Sequence, residues 1–144
     1  MAPELADFQA EYAALCRHVG ASGELLFSRS DDGSPHIEYI GGEYHNVVTQ
    51  RGSEWERRTT ADKKEALYWC VSDLVWSMAS EYELKTRKPG FYTRRVIFDK
   101  GIELMAQINP EWATRKAEEI RIILARSPYS MDEQIANEHA GRRP

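Results

Sequence analysis

The sequence predicts an α+β protein: an antiparallel β-meander of three or four strands packed on a long central helix, with an N-terminal helix and two C-terminal helices. Three observations carry this prediction. Apolar residues recur at helical spacing from Thr59 to Arg87. Three alternating stretches between Pro35 and Arg58 are joined by the two-residue links Gly41-Gly42 and Arg51-Gly52. Helical stripes flank this block on both sides.

In chain order, Pro3 to Val19 places Leu5, Phe8, Tyr12, Leu15, Cys16 and Val19 on one stripe, and Gly20 stops it. Glu24 to Arg29 reads as a short fourth strand, and Asp31 to Ser34 as a turn. The clear strands are Pro35 to Ile40, Glu43 to Gln50 and Ser53 to Arg58. Tight turns fix register, so the faces follow. Tyr39 should pair with Tyr44, Ile37 with Asn46, Val48 with Trp55, and Asn46 with Arg57. One face then carries Ile37, Tyr39, Tyr44, Val48 and Trp55, with Asn46 and Arg57 among them, and should lie on the long helix. His36, Glu38, His45, Glu56 and Arg58 should meet water.

The long helix buries Leu67, Val71, Leu74, Val75, Met78 and Tyr82, with Trp69 and Trp76 on the opposite side beside Ser72, Asp73, Ser80 and Glu83. Thr59 and Asp62 have capping-box spacing, and Pro89-Gly90 ends the element. Ile97, Phe98, Leu104, Met105 and Ile108 form the next stripe, where Gly101 should let a neighbouring helix approach. Asn109-Pro110 caps and starts the last helix. Its buried face is expected at Trp112, Ala113, Ala117, Ile120, Ile123 and Leu124. Residues 1–129 read as a single domain and residues 130–144 as a polar tail.

A chain of 144 residues can bury a core without staples. Its net charge of -4 disfavours nucleic acid and favours a basic partner. Cys16 and Cys70 lack a CxxC pattern and read as reduced core thiols of a cytoplasmic protein. No basic segment precedes an apolar run at the N-terminus, and no stretch reaches membrane-spanning length.

Two constellations could carry chemistry. His36, Glu38, His45 and Glu56 offer divalent-metal ligand types, but charged residues alternating along a solvated strand need no metal, and none is assigned. Arg57 on the inward face and Glu81 at the margin of the helix core could meet as a buried ion pair, held further by Asn46 or by Arg94 and Arg95. As catalysis this makes Glu81 an acid or base. As structure it is a polar clamp between sheet and helix, and losing one partner would cost about 3–5 kcal/mol. The clamp is favoured, since no second carboxylate, nucleophile or phosphate loop is tied to the site. GxSxG, Walker, GxGxxG, HExxH and EF-hand patterns are all missing, so no catalytic residue and no cofactor is assigned. Trp69 and Trp76 are the sharper signal for binding, unless the C-terminal helices cover them.

Several separated stretches, in order, resemble a known family. They are Tyr44-His45 with Val47-Val48, Arg51 through Thr60, Leu67-Tyr68-Trp69, Ser77 through Lys85, Pro89-Gly90, Arg94-Arg95 and Asn109-Pro110-Glu111-Trp112. Together they resemble the immunity protein 63 family of bacterial polymorphic toxin systems, over about Tyr44 to Tyr129. The resemblance implies a small cytoplasmic antidote that binds a cognate toxin domain and stops it working, a binding protein rather than an enzyme. The expected contacts are Glu38, His45 and Glu56 on the sheet or Asp73 and Trp76 on the helix, in a protein that is a monomer or weak dimer when free. The alternatives are a small enzyme using Glu81 with Arg57 or a His/Glu metal site, and a module that self-associates through its tryptophan face.

Overall fold

The computed structural model of this chain describes residues 2–87 and 94–129. Its elements are α1 (Pro3–Arg17), β1 (Asp32–Ile40), β2 (Glu43–Gln50), β3 (Ser53–Thr60), α2 (Lys63–Thr86), α3 (Arg94–Ile108) and α4 (Pro110–Arg126). The α+β class and the antiparallel β1-β2-β3 meander are as the sequence predicts. The chain divides into two compact units, Met1–Val71 and Ser72–Pro144, with the division inside α2. The expected stop at Pro89-Gly90 and the tail from residue 130 lie outside the described residues.

In the first unit, α1 buries Phe8, Tyr12 and Cys16, which recur every four residues. Phe8 stacks on Tyr44 at 5.1 Å between ring centroids, and Tyr44 packs on Tyr39 at 4.9 Å. This places α1 on the face of the sheet that carries Ile37, Tyr39 and Tyr44. Gln9 fastens the following segment to α1: its side chain donates to the Gly23 carbonyl at 2.5 Å and accepts from the Leu25 amide at 3.0 Å. The strand expected over Glu24 to Arg29 is not formed. The segment instead lies along the outer edge of β1 through a single bond, from the Ile37 amide to the Leu26 carbonyl at 2.9 Å.

Both hairpin links have positive φ at each central residue: 61° and 81° at Gly41 and Gly42, 52° and 80° at Arg51 and Gly52. These are the type I′ values that match strand twist. The β1–β2 register is the expected one, with Tyr39 opposite Tyr44, Ile37 opposite Asn46 and Glu38 opposite His45.

The β2–β3 register differs. It starts as expected, with Gln50 opposite Ser53 and Thr49 opposite Glu54, but Val48 then pairs with Glu56. Trp55 is the extra residue of a β-bulge, and beyond it every β3 side chain changes face. Arg58 lies opposite Asn46 and Arg57 opposite Val47. Glu56 and Arg58 therefore leave the face where they were expected, and Arg57 joins His36, Glu38 and His45. That face is not fully solvated: His36 is 3% exposed, and Val47 and Thr49 are buried on it.

The expected Thr59 cap is corrected by the extra length of β3, which runs through Thr59 to Thr60. Asp62 caps α2 instead, its carboxylate accepting from the Lys64 amide at 2.9 Å. The first turns of α2 bury Ala66, Leu67, Tyr68, Cys70 and Val71. Cys16 and Cys70 are free and buried, and burial pushes the Cys16 thiol above its ordinary pKa.

In the second unit, α3 buries Ile97, Phe98, Gly101, Leu104, Met105 and Ile108, the expected stripe. Among the described residues Gly101 does not serve a close approach, because a Cβ there would meet nothing within 4 Å. The side chain of Asn109 accepts from the Glu111 and Trp112 amides at 2.9 and 3.2 Å, and Pro110 opens α4. That helix is turned from the expected orientation. Ala113 and Ile120 are buried, whereas Ala117 and Ile123 are exposed. From this helix the Lys116 ammonium reaches inward to donate to the Ser72 hydroxyl at 2.5 Å.

Candidate protein-binding surface

The bulge at Trp55 builds the main polar centre of the first unit. With β3 shifted by one residue, Arg57 faces β1 and β2 across the sheet, and a guanidinium offers five donors in one plane. Nη1 donates to Glu38 Oε1 at 3.2 Å and to His45 Nδ1 at 2.7 Å. Nε and Nη2 donate to Glu54 at 3.1 and 2.7 Å. The other carboxylate oxygen of Glu38 meets His36 Nε2 at 2.6 Å. Since guanidinium only donates, His45 Nδ1 is the acceptor in its bond, which leaves the imidazole proton on Nε2.

The charges follow this geometry. The hydrogen bond from His36, and then Arg57, holds the Glu38 carboxyl below its ordinary pKa against the opposing effect of burial. Arg57 does the same for Glu54. In return Glu54, and then Glu38, bind the Arg57 proton more firmly than usual. Among the described residues His36 Nδ1, and Asn46 Nδ2 on the opposite face, are buried polar atoms with no hydrogen-bond partner.

This arrangement corrects two expectations. Arg57 is not an inward clamp residue, because the bulge turns it to the other face. Glu56 does not stand with His36, Glu38 and His45 as a fourth metal-ligand type, for it lies on the opposite face and pairs with Arg58 at 3.2 Å. Among the described residues no group of three or more His, Cys, Asp or Glu side chains is placed to hold a metal. Arg58, now on the face that carries Tyr44 and Asn46, lays its guanidinium 4.9 Å from the centre of the Trp69 ring. The Trp69 indole N–H donates to Glu65 at 3.1 Å.

Trp55 itself was expected in the core and is 67% exposed, the largest value among the exposed large apolar side chains. It sits on β3, an edge strand of the sheet, between Glu54 and Glu56. Alternation alone could not find this, because a bulge breaks the very periodicity that assigns faces.

The second unit holds the remaining predicted residues. Glu81 is 63% exposed and pairs with Lys85 at 2.7 Å, which lowers its pKa. It is neither buried nor a clamp. The buried carboxylate of α2 is Glu83, 3% exposed, bound by both oxygens to Arg87 at 2.8 Å each. The i,i+4 spacing of Glu83 and Arg87 was the available signal. Arg94 serves the end of α4: it donates to the carbonyls of Ser127 and Pro128 at 3.1 and 3.0 Å and lies 5.3 Å from the Tyr129 ring.

Asp73 is exposed on α2. Trp76 is 46% exposed, its ring 5.9 Å from that of Phe98. Tyr82, expected in the core, is exposed beneath the Lys100 ammonium at 4.5 Å. It lines an open groove of about 330 Å³ with Met78, Leu104, Glu81, Lys85 and Lys100. Burial pulls the Lys116 amine below its ordinary pKa.

Fold and site together define a small α+β protein whose main polar centre is an ion-paired network on a partly open sheet face. The sequence profile of Immunity protein 63 matches residues 41–122, from the first hairpin turn into α4, and the chain belongs to that family. It is in general terms an immunity protein, whose partner is a toxin protein. No curated protein and no solved structure matches the chain. Among the described residues no helix is long and apolar enough to cross a membrane.

Proposed function

We propose that this protein neutralises one cognate toxin domain of a bacterial polymorphic toxin system by binding it directly and occluding it, in the cytoplasm of the producing cell. Residues 1–129 act as one immunity-type domain, and the free protein is a monomer or weak dimer. The observation that carries the reading is family membership over 41–122, a span holding β2, β3 and most of the Arg57 network. The chemistry of that network is consistent with binding. Glu38, His45 and Glu54 all converge on one guanidinium, which presents a rigid pattern of charge rather than a group poised to react. Rigid, pre-paired polar groups around an exposed aromatic side chain favour selective docking, because little side-chain freedom is lost on association.

Co-expression with the product of the adjacent gene tests the proposal. The expected result is a complex that survives size-exclusion chromatography, together with rescue of cells expressing that product. Intact growth inhibition and separate elution of the two proteins would remove it.

A further inference from the structure

We infer that the toxin-contacting surface is the edge of the sheet at β3, centred on Trp55, and that the toxin surface it takes is basic. This rests on the reading of the protein as a direct toxin binder.

The first argument is position. β3 is at the edge of the β1-β2-β3 order, and its extra residue at the bulge is Trp55. A bulge at an edge re-aims a side chain and interrupts the ladder, which suits recognition by side chains more than extension of the sheet by another strand. A tryptophan held 67% in solvent on a rigid strand is a low-entropy anchor of the kind that dominates interface energetics.

The second argument is charge. The unit Met1–Val71 contains twelve Asp and Glu against seven Lys and Arg, a net -5, whereas Ser72–Pro144 contains eleven against twelve. The acidity of the whole chain therefore belongs to the unit that presents Trp55. Flanking Trp55 in the chain, the Glu54 and Glu56 side chains are 45% and 56% exposed, one on each face of the sheet, and pair with Arg57 and Arg58. An arginine or lysine from a partner can lie over the indole while its charge is drawn by the acidic excess of this unit. A second copy of this chain would bring another acidic unit to the same place, so like charge disfavours self-association there. The α2–α3 groove lies in the unit whose charges nearly balance and so lacks this bias.

The test is affinity for the purified product of the adjacent gene, in wild type, Trp55→Ala and Glu56→Lys, each checked by circular dichroism and thermal melting. Trp55→Ala should weaken binding at least 30-fold with an unchanged melting temperature, and Glu56→Lys should slow association about tenfold. If wild type binds and both variants bind within threefold of it, the surface lies elsewhere and the inference fails while direct binding stands. If wild type does not bind, both fall together. Concentration-dependent sedimentation of wild type that Trp55→Ala abolishes would make this a contact between copies and overturn the basic-partner assignment.

Discussion

Arg57 gathers two carboxylates and a histidine from all three strands, so its bonds hold the sheet across its width as well as along it. Glu38, through His36 and then Arg57, and Glu54, through Arg57, have pKa values lowered from an ordinary 4.5. A carboxylate with a depressed folded value contributes stability that is complete above its unfolded value and is lost as pH falls through the folded one. Wild type should therefore lose stability steeply as pH drops below about 4.5, whereas Arg57→Gln, which lacks the guanidinium, should start less stable and decline more gently. Urea midpoints measured from about pH 6 to pH 3 decide this, and parallel profiles for the two proteins would contradict it. Sequence reading placed Arg57 in a polar cluster but chose the wrong face and the wrong carboxylate. One unseen residue of bulge sufficed for both errors, since side-chain direction in a strand alternates with period two.

At the scale of elements, two glycines make opposite demands. Gly23 has φ of +73° and sits where a Cβ would come 2.7 Å from the Cα of Ala13 in α1, beneath the Gln9 bonds. Gly101 lies within α3, and a Cβ there has open space. Gly23→Ala should destabilise by about 1–3 kcal/mol through left-handed strain, with the backbone contact adding to it. Gly101→Ala should stabilise by about 0.5–1 kcal/mol, because alanine restricts the unfolded chain and favours helix. Thermal melts of the two single variants check the signs, and a loss of stability in Gly101→Ala would show that the α3 stripe packs more tightly than these distances imply. The α1 and α3 stripes, the first turns of α2 and both hairpin turns were legible because periodicity and φ > 0 chemistry are local. The turn of α4 about its axis was not, because it is set by packing between residues distant in sequence, of which Lys116 reaching Ser72 is one instance. Glu83 escaped for a related reason: burial at the end of α2 is decided by what surrounds the helix, whereas a helical wheel assigns every turn the same inner face.

For the whole molecule, the uneven charge of the two halves matters more than the mild net value of -4. An acidic excess in Met1–Val71 favours approach by a basic surface, so a toxin with the basic face inferred above would be drawn toward that unit before any contact forms. Salt shortens the reach of this attraction, from roughly 14 Å at 50 mM to roughly 4 Å at 500 mM, while leaving close, desolvated contacts nearly intact. Association of the protein with the product of the adjacent gene should therefore slow by about tenfold across that range, with dissociation changing less than about threefold. Stopped-flow tryptophan fluorescence can follow both rates, because docking on Trp55 would alter the surroundings of an exposed indole. An association rate indifferent to salt would show that the acidic half plays no part in steering. A dissociation rate that rises with salt as steeply as association falls would mean that exposed charge pairs, rather than the aromatic anchor, hold the complex together.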